Sequence, residues 1–319
     1  MVELVQRVRT HHHCDLVAVH DPAAAVLADF QAKASIGFAS TSFAELLASG
    51  IDFVVLAGPI ADRLEQVQEA AAQGAHILVL SPFAPDLATA TTMVAICEAN
   101  EVRLGVLVPE FADPVAEQLR RMLVADWLGG IVCVQAILGD DTRLRGSVTA
   151  PSHPFVELVS RHIHLASWLT GRSVQRVTAQ TTRSFARDED GGVATAILRG
   201  NVACTFAAYQ TTPVRAFAVH GTDGGFRLAG DRLWLRGQRE FRGHVFDYMT
   251  PGQELAIGRC ELVPELTALA PESELVGRFA RWIEDTDDFP CPAEQALEDV
   301  RVVDALLRAA KSGHTETVG

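Results

Sequence analysis

Lysine is almost absent from this sequence. Only Lys33 and Lys311 contribute to its 27 basic residues, and all the others are arginines. Because a protein can lower the pKa of a lysine into the range of proton transfer, whereas an arginine stays protonated, lysine-dependent acid–base chemistry has only these two candidates. Any other proton transfer must use a different type of side chain.

An excess of positive charge and a long apolar run are absent as well. The 319 residues carry a formal net charge of −13, which repels nucleic acid and anionic membrane surfaces. No apolar run approaches the roughly 18–20 residues that span a bilayer, and the start of the chain alternates charged with apolar residues, unlike a signal peptide. These absences favour a cytoplasmic protein that binds neither nucleic acid nor membranes.

The sequence also lacks cysteines and histidines at the spacing that is typical of a metal site. The six cysteines are scattered and form no Cys-x-x-Cys pair, which favours buried thiols over zinc ligands or a redox dithiol. His11, His12, His13 and Cys14 are consecutive, and consecutive side chains cannot all converge on one ion. We therefore expect no metal cofactor.

The sequence does contain a change of pattern near residue 110. Before it, apolar runs typical of strands alternate with amphipathic helical stretches, which predicts a parallel sheet covered on both faces. After it, β-like runs with hairpin spacing predict an α+β half with an antiparallel sheet. The length agrees with two domains, which we place at residues 1–110 and 111–319. The last two predicted helices are at 272–284 and 292–311.

The individual elements follow from the same patterns. In the first domain, strands are predicted near residues 15–20, 52–57, 76–80 and 103–108, and helices at 22–33, 42–50, 61–73 and 86–100. In the second, a helix is predicted near 114–125 and strands near 131–138, 174–183, 193–198, 203–210, 216–220, 226–228 and 233–235.

Six segments carry a further signal. They are residues 15–22 (DLVAVHDP), 52–59 (DFVVLAGP), 72–82 (AQGAHILVLSP), 168–171 (WLTG), 219–225 (VHGTDGG) and 292–313. In this order and spacing they resemble the glucose-fructose oxidoreductase / inositol dehydrogenase / MocA (Gfo/Idh/MocA) family of NAD(P)-dependent oxidoreductases over nearly the whole chain. The resemblance implies a Rossmann-type domain followed by a domain with an open, mostly antiparallel sheet. It also implies NAD or NADP as cofactor and a sugar, polyol or related small molecule as substrate.

The resemblance gives candidates for cofactor binding. In a dinucleotide site an acid that holds the ribose hydroxyls stands about 20 residues beyond the glycine-rich phosphate turn. Asp21, at the end of the first predicted strand, fits that acid, although an Asp-Pro turn after a strand is also common. Gly58, Pro59 and Pro82 follow two later predicted strands and are the other candidates. His20 and Asp21 favour NAD over NADP.

The glycine-rich turn itself is not visible. Counting back from Asp21 by the same spacing puts it at or before Met1. The strand before that turn lies in the middle of the sheet in the strand order 3-2-1-4-5-6, and its loss leaves unpaired backbone groups at about 1–3 kcal/mol each. Three explanations stay open: the true start lies upstream, another chain or segment supplies the strand, or the sheet is rebuilt around the gap.

Several positions differ from the family's catalytic pattern. The family's Glu-Lys-Pro, in which the lysine supports proton transfer, reads Leu-Ser-Pro at residues 80–82. Ser81 thus stands in the place of the lysine, and a serine hydroxyl is a poor acid or base near neutral pH. The family's Thr-Pro-x-x-x-His turn reads Gly-Pro-Ile-Ala-Asp-Arg at residues 58–63.

The family's third marker is an acid followed four residues later by a histidine. Counted back from the Trp-Leu-Thr-Gly segment, it falls on Glu157 and Arg161. His162 and His164 lie nearby but on other faces of the helix, because neighbouring residues diverge by about 100°. A local shift would bring one of them into the site; the alternative is a pair of structural histidines. Together with Ser81, these four residues are the catalytic candidates.

Two hypotheses of function follow from the resemblance. In the first, the chain is a divergent family member whose hydride transfer is impaired or non-standard, acting as a degenerate partner subunit, a sensor or a non-redox enzyme. In the second, it is an active NAD(P)-dependent dehydrogenase or reductase whose glycine-rich turn lies upstream. The open sheet also implies a homo-oligomer, or a hetero-oligomer with an active homologue, with residues 203–209 in or near the interface.

Overall fold

The computed structural model describes most of the chain. The described ranges are residues 14–33, 36–112, 114–141, 153–184, 188–230, 232–237, 240–241, 244–245, 255–258 and 271–319, so the three histidines before Cys14 lie outside them. The chain forms two compact units, Met1–Ala112 with Leu269–Val300 (unit 1) and Asp113–Ala268 with Arg301–Gly319 (unit 2). The sequence pattern assigns residues 269–300 to the second domain, whereas the structure groups them with unit 1.

The first part of the chain alternates short strands with helices, as its apolar and amphipathic runs predict. The strands are β1 (Ala18–His20), β2 (Phe38–Ser40), β3 (Phe53–Leu56), β4 (His76–Leu80) and β5 (Leu104–Leu107), and the helices are α1 (Ala24–Lys33), α2 (Phe43–Leu47), α3 (Arg63–Ala72) and α4 (Leu87–Ala99). Ser42 caps α2, since its hydroxyl accepts a hydrogen bond from the N–H of Glu45 at 3.4 Å, which is one half of a capping box. The N–H of Ser42 donates to the Ser40 hydroxyl at 2.9 Å instead of to the Glu45 carboxylate. The sequence did not predict β2, because three residues are too few to show an alternating pattern.

The remaining elements are mostly strands. The helices are α5 (Pro114–Val124), α6 (Ser160–Thr170), α7 (Pro271–Ile283) and α8 (Ala293–Ser312), and a π-helical turn at Phe155–Val159 precedes α6. The strands are β6 (Ile131–Gly139), β7 (Val174–Thr182), β8 (Gly191–Leu198), β9 (Val202–Tyr209), β10 (Val214–Gly221), β11 (Gly224–Ala229), β12 (Arg232–Gly237), β13 (Glu240–Phe241), β14 (His244–Val245), β15 (Leu255–Gly258) and β16 (Glu316–Thr317).

The strands of unit 1 form two separate parallel sheets. β1 pairs with β2, and β3, β4 and β5 pair in that order. In the Rossmann strand order 3-2-1-4-5-6, β1 and β2 correspond to strands 2 and 3, and β3, β4 and β5 correspond to strands 4, 5 and 6. The first strand of that order lies between β1 and β3. Within the described ranges, no strand pairs with both of these neighbours.

The outer edge of β5 is covered by the late segment of unit 1. Gly105 forms an antiparallel bridge with Pro292. The rings of Phe279 and Phe289, which are buried, meet edge to face at 5.4 Å beside this strand. A Cβ atom at Gly105 would lie 2.8 Å from the Phe289 ring and 2.9 Å from the Phe279 ring. The glycine therefore allows the aromatic rings to pack directly on the strand.

Unit 2 is built on a nine-stranded sheet. Its order is β15-β12-β11-β10-β6-β9-β8-β7-β16, and all neighbours are antiparallel except β6 and β9. In β6, Val134, Ala136 and Leu138 are buried, whereas Gln135 and Ile137 between them are exposed. Since α6 and the π-helical turn contact β6, one face of the sheet is covered and the other is open. A parallel sheet followed by an open, mostly antiparallel one confirms the predicted fold class.

The described residues contain neither a membrane-spanning helix nor a group of metal-binding side chains. Among the helices of the described ranges, none has the length and apolarity needed to cross a membrane. In the same part of the chain, no three His, Cys, Asp or Glu side chains are grouped so that they could hold a metal ion.

Candidate functional site

The turn after β4 carries Ser81, which the family resemblance predicts at the position of a lysine. Ser81 is half-buried, and its backbone N–H donates a hydrogen bond to the carbonyl oxygen of Leu107, at the end of β5, at 3.1 Å. Pro82 follows it and is also half-buried, while Phe83 is buried. The position is thus fixed by the sheet and partly open to solvent. Its hydroxyl can donate or accept a hydrogen bond but cannot titrate near neutral pH.

The turn after β3 lies at the same edge of the three-stranded sheet. Gly58 and Pro59 are exposed, and a Cβ atom at Gly58 would meet no atom within 4 Å. Because β3 and β4 are parallel neighbours, their carboxyl ends open onto the same side. This is the edge at which open α/β sheets bind ligands.

A buried arginine connects these two turns. Arg63, the first residue of α3, is only 3% exposed. Its guanidinium donates to the carbonyl oxygens of Pro82 and of Phe83, the latter at 3.2 Å, and to that of Gly58 at 3.5 Å. In the sequence, Arg63 is noticeable only because it stands where the family's Thr-Pro-x-x-x-His pattern has a histidine. That difference could have marked Arg63 as a functional candidate, but its contacts with the two turns are visible only in the fold.

The predicted ribose-binding acid lies at the end of β1. Asp21 is half-buried, and its Oδ1 accepts a hydrogen bond from the N–H of Ala23 at 2.8 Å, just before α1 begins. This bond fixes the carboxylate at the carboxyl end of the strand. The neighbouring His20 ring packs against Phe43, with ring centroids 5.4 Å apart.

These residues fit part of a dinucleotide site. Asp21 offers the carboxylate that hydrogen-bonds ribose hydroxyls, and the turns after β3 and β4 are at the edge where the rest of a dinucleotide is expected. A glycine-rich phosphate-binding turn is not among the residues that the structure describes. The donor set therefore matches the nucleoside part of the cofactor.

The acidic candidate of unit 2 stands in the π-helical turn. The N–H of Ser160 donates to the carbonyl oxygen of Phe155, five residues earlier, which is the bonding of a π turn and often marks a functional position. Gly192 of β8 makes room for this turn, since a Cβ atom there would lie 2.8 Å from the buried Phe155 ring. Glu157, within the turn, and Arg161, four residues later, are both half-buried. Residues at this spacing lie on neighbouring turns of a helix.

The two histidine candidates lie in the interior of unit 2. His162 is 5% exposed and His164 is 2% exposed. Nδ1 of His162 lies 3.1 Å from the carbonyl oxygen of Leu158; since a carbonyl can only accept, Nδ1 carries the proton and the lone pair of the neutral ring is on Nε2. Phe217 packs beside this ring at 6.4 Å. Glu157 and Arg161 are therefore more accessible than either histidine.

Burial suppresses the reactivity of two cysteines, Cys97 and Cys204. Cys97, Cys204 and Cys291 are buried. Burial raises the pKa of Cys97 and of Cys204 to about 12 each, so neither thiol forms the reactive thiolate at neutral pH.

Two models of one protein family match consecutive parts of the chain. Residues 3–108 match a model described as oxidoreductase family, NAD-binding Rossmann fold (GFO_IDH_MocA). Residues 116–227 match the GFO/IDH/MocA C-terminal domain. A curated relative, a myo-inositol dehydrogenase from Streptomyces leeuwenhoekii, is 29% identical over 181 residues. That match spans 53% of this chain and 54% of the relative, about half the length of each.

Solved structures share the fold along the whole chain. An oxidoreductase from Agrobacterium radiobacter, in complex with NAD+, L-tartaric acid and magnesium, superposes with a TM-score of 0.85 at 17% identity, covering 100% of this chain and 95% of the other. A scyllo-inositol dehydrogenase from Lactobacillus casei, with bound NAD(H) and scyllo-inositol, gives a TM-score of 0.79 at 15% identity and covers 99% and 95%. At these identities the similarity concerns the fold.

Proposed function

Because the chain belongs to the Gfo/Idh/MocA oxidoreductase family, with its NAD-binding Rossmann domain, we propose that unit 1 binds a nicotinamide dinucleotide but does not support the family's lysine-assisted hydride transfer. The ligand class proposed for unit 2 is a small polyol, sugar or sugar acid. The curated relative and the L. casei structure, an inositol dehydrogenase each, suggest inositols as the first compounds to examine.

Different residues of unit 1 would contact different parts of the cofactor. Asp21 would hold the hydroxyls of a ribose, and its negative charge disfavours a 2′-phosphate, so NAD is expected to bind better than NADP. Gly58, Pro59 and Pro82 would line the part of the cofactor that lies over the carboxyl ends of β3 and β4. When bound, a nicotinamide accepts or supplies a hydride.

The observation that carries the proposal is Ser81. It occupies the fixed, half-buried turn after β4, where the family's lysine would support the proton transfer that accompanies hydride transfer. The two lysines of the chain are elsewhere: Lys33 is the last residue of α1, and Lys311 is exposed near the end of α8. A serine there can hydrogen-bond a substrate hydroxyl but cannot take its proton near neutral pH. Binding without efficient turnover is the expected result.

Restoring the lysine tests this proposal. We expect the wild-type chain to bind NADH in a calorimetric titration, more tightly than NADPH, and to oxidise myo-inositol or scyllo-inositol slowly or not at all. The substitution Ser81→Lys should raise kcat by about 10²-fold or more, the usual contribution of a general acid–base group. Ser49→Lys, which adds a lysine at an exposed position of unit 1, is the control. Rapid wild-type turnover that Ser81→Lys leaves unchanged contradicts the proposal.

A second candidate function is an active dehydrogenase with a different proton acceptor. It is favoured by the accessibility of Glu157 and Arg161 on neighbouring turns at the start of α6. A carboxylate can accept a hydroxyl proton, whereas the arginine stays protonated and would hold a substrate oxygen. If wild-type turnover is observed, Glu157→Gln should lower kcat about 10²-fold, while Glu117→Gln in α5 should not. Equal rates in both variants exclude Glu157 as the acceptor.

For association, we propose that a second copy of the chain covers the open face of the unit 2 sheet. Ile137 is 45% exposed and Val193 is 53% exposed. Both pair in register with Ala207 of β9, so the three form one row across β6, β9 and β8. Neighbouring rows carry small polar residues such as Thr195 and Thr178. An apolar strip of this kind on a flat sheet face is typical of a self-complementary interface.

A further inference from the structure

One residue outside the set of cofactor candidates forms hydrogen bonds to both turns that carry them. Arg63 is almost completely buried at the start of α3. Its Nη1 donates to the carbonyl oxygens of Pro82 and Phe83, and its Nη2 donates to that of Gly58. The acceptors belong to the turns after β4 and after β3. A single side chain therefore cross-links two turns whose acceptors, Gly58 and Pro82, are 24 residues apart in the sequence.

The chemistry of the guanidinium explains why an arginine can do this. The group is planar, carries five N–H donors in a fixed arrangement and stays protonated at any physiological pH. It can hold acceptors on both turns at once, with charge-assisted hydrogen bonds that are stronger than neutral ones. A lysine ammonium at the same place is a point donor on a flexible chain, and a neutral imidazole has only one N–H.

The turn after β3 is exposed on its outer side and continues into a short 3-10 turn, in which the N–H of Asp62 donates to the carbonyl oxygen of Pro59 at 3.2 Å. Gly58 and Pro59 are exposed, and the space around a Cβ atom at Gly58 is empty to 4 Å. The turn after β4, by contrast, is fixed to β5 through the N–H of Ser81. Arg63 thus links the exposed turn to a turn that is hydrogen-bonded to the sheet.

We propose that Arg63 is a positioning residue that sets the spacing between the Gly58–Pro59 turn and the Ser81–Pro82 turn, and thereby the fit of a nicotinamide dinucleotide at this edge of the sheet. The inference rests on the proposed function that unit 1 binds this cofactor. Because Arg63 is buried, it acts through the two turns and not by touching the ligand.

The test compares Arg63→Lys and Arg63→Met with the wild-type chain. Arg121→Met is the control, since Arg121 is an exposed arginine of α5 whose side chain pairs with Glu117. For each protein we would measure the thermal unfolding transition, the Kd for NADH by calorimetry, and amide hydrogen exchange in peptides covering residues 56–63 and 80–86. We expect Arg63→Met to weaken NADH binding about tenfold or more, as the loss of a charged hydrogen bond does, with faster exchange in these two segments. Arg63→Lys should fall between it and the wild type, and Arg121→Met should behave as the wild type.

The outcomes separate this inference from the proposed function. If the wild-type chain does not bind NADH, the proposed function fails and the positioning role fails with it. If the wild type binds and Arg63→Met binds equally well, only the positioning role is overturned. If Arg63→Met does not fold, the folded Arg63→Lys decides: a Kd and exchange rates equal to those of the wild type overturn the inference, and weaker binding with faster exchange in the two turns supports it.

Discussion

His76, the first residue of β4, shows how a single side chain makes the stability of unit 1 depend on pH. Its Nδ1 accepts a hydrogen bond from the backbone N–H of Arg103 at 2.8 Å, so the neutral ring carries its proton on Nε2. Burial, and then the positive charge of Arg103, lower the pKa of His76 against an opposing effect of Asp52. Protonation of Nδ1 would remove the acceptor that connects the amino ends of β4 and β5.

This arrangement predicts lower stability in mild acid. Since the pKa is lower in the folded state, the unfolded chain binds more protons below its own pKa of about 6.5, and stability falls as the pH decreases through the folded pKa. Thermal unfolding measured from pH 8 to pH 5 should show a smaller decrease for His76→Asn, which keeps an acceptor but does not titrate. His314→Asn, at an exposed histidine, should follow the wild type. Identical pH profiles for wild type and His76→Asn exclude this role.

Among the elements, β5 packs closely against aromatic rings because one of its residues is a glycine. Its central residue Gly105 lies under the buried rings of Phe279 and Phe289 and leaves no room for a Cβ atom. Gly105→Ala should therefore destabilise unit 1 by about 1–3 kcal/mol, the usual cost of overpacking a core. Thermal unfolding would show it as a lower transition temperature. Gly37→Ala is the control, because the nearest atom to its Cβ would be a carbonyl oxygen at 3.8 Å; an equal effect of both substitutions contradicts the packing argument.

For the whole molecule, the open face of the nine-stranded sheet predicts self-association. The proposed interface contains the exposed apolar residues Ile137 and Val193 in one row. Light scattering should give an oligomer for the wild type and a monomer for the double variant Ile137→Lys, Val193→Lys, because two charges would be desolvated in the interface. Val124→Lys changes a valine of α5 that is 79% exposed and should leave the oligomer intact. A wild-type monomer at every concentration rules out this interface.

The sequence by itself determined the order and type of most elements, because apolar periodicity, caps and turn residues act over a few neighbouring positions. The strand predicted at 76–80 is β4, and the two predicted C-terminal helices match α7 and α8 within one residue at each end. The family was also readable from order and spacing, and the same pattern led to the prediction that Ser81 stands at the position of its lysine. None of these depends on contacts between distant segments.

Only the tertiary structure decided what joins those segments. It placed residues 269–300 in unit 1, buried His162 and His164 while leaving Glu157 accessible, and brought the guanidinium of Arg63 onto carbonyl groups about 20 residues away. Such contacts depend on how strands and helices pack, and no local pattern encodes which distant atoms a side chain will meet. For that reason the sequence showed only that Arg63 differs from the family pattern. The fold showed that its guanidinium donates hydrogen bonds to the turns after β3 and β4.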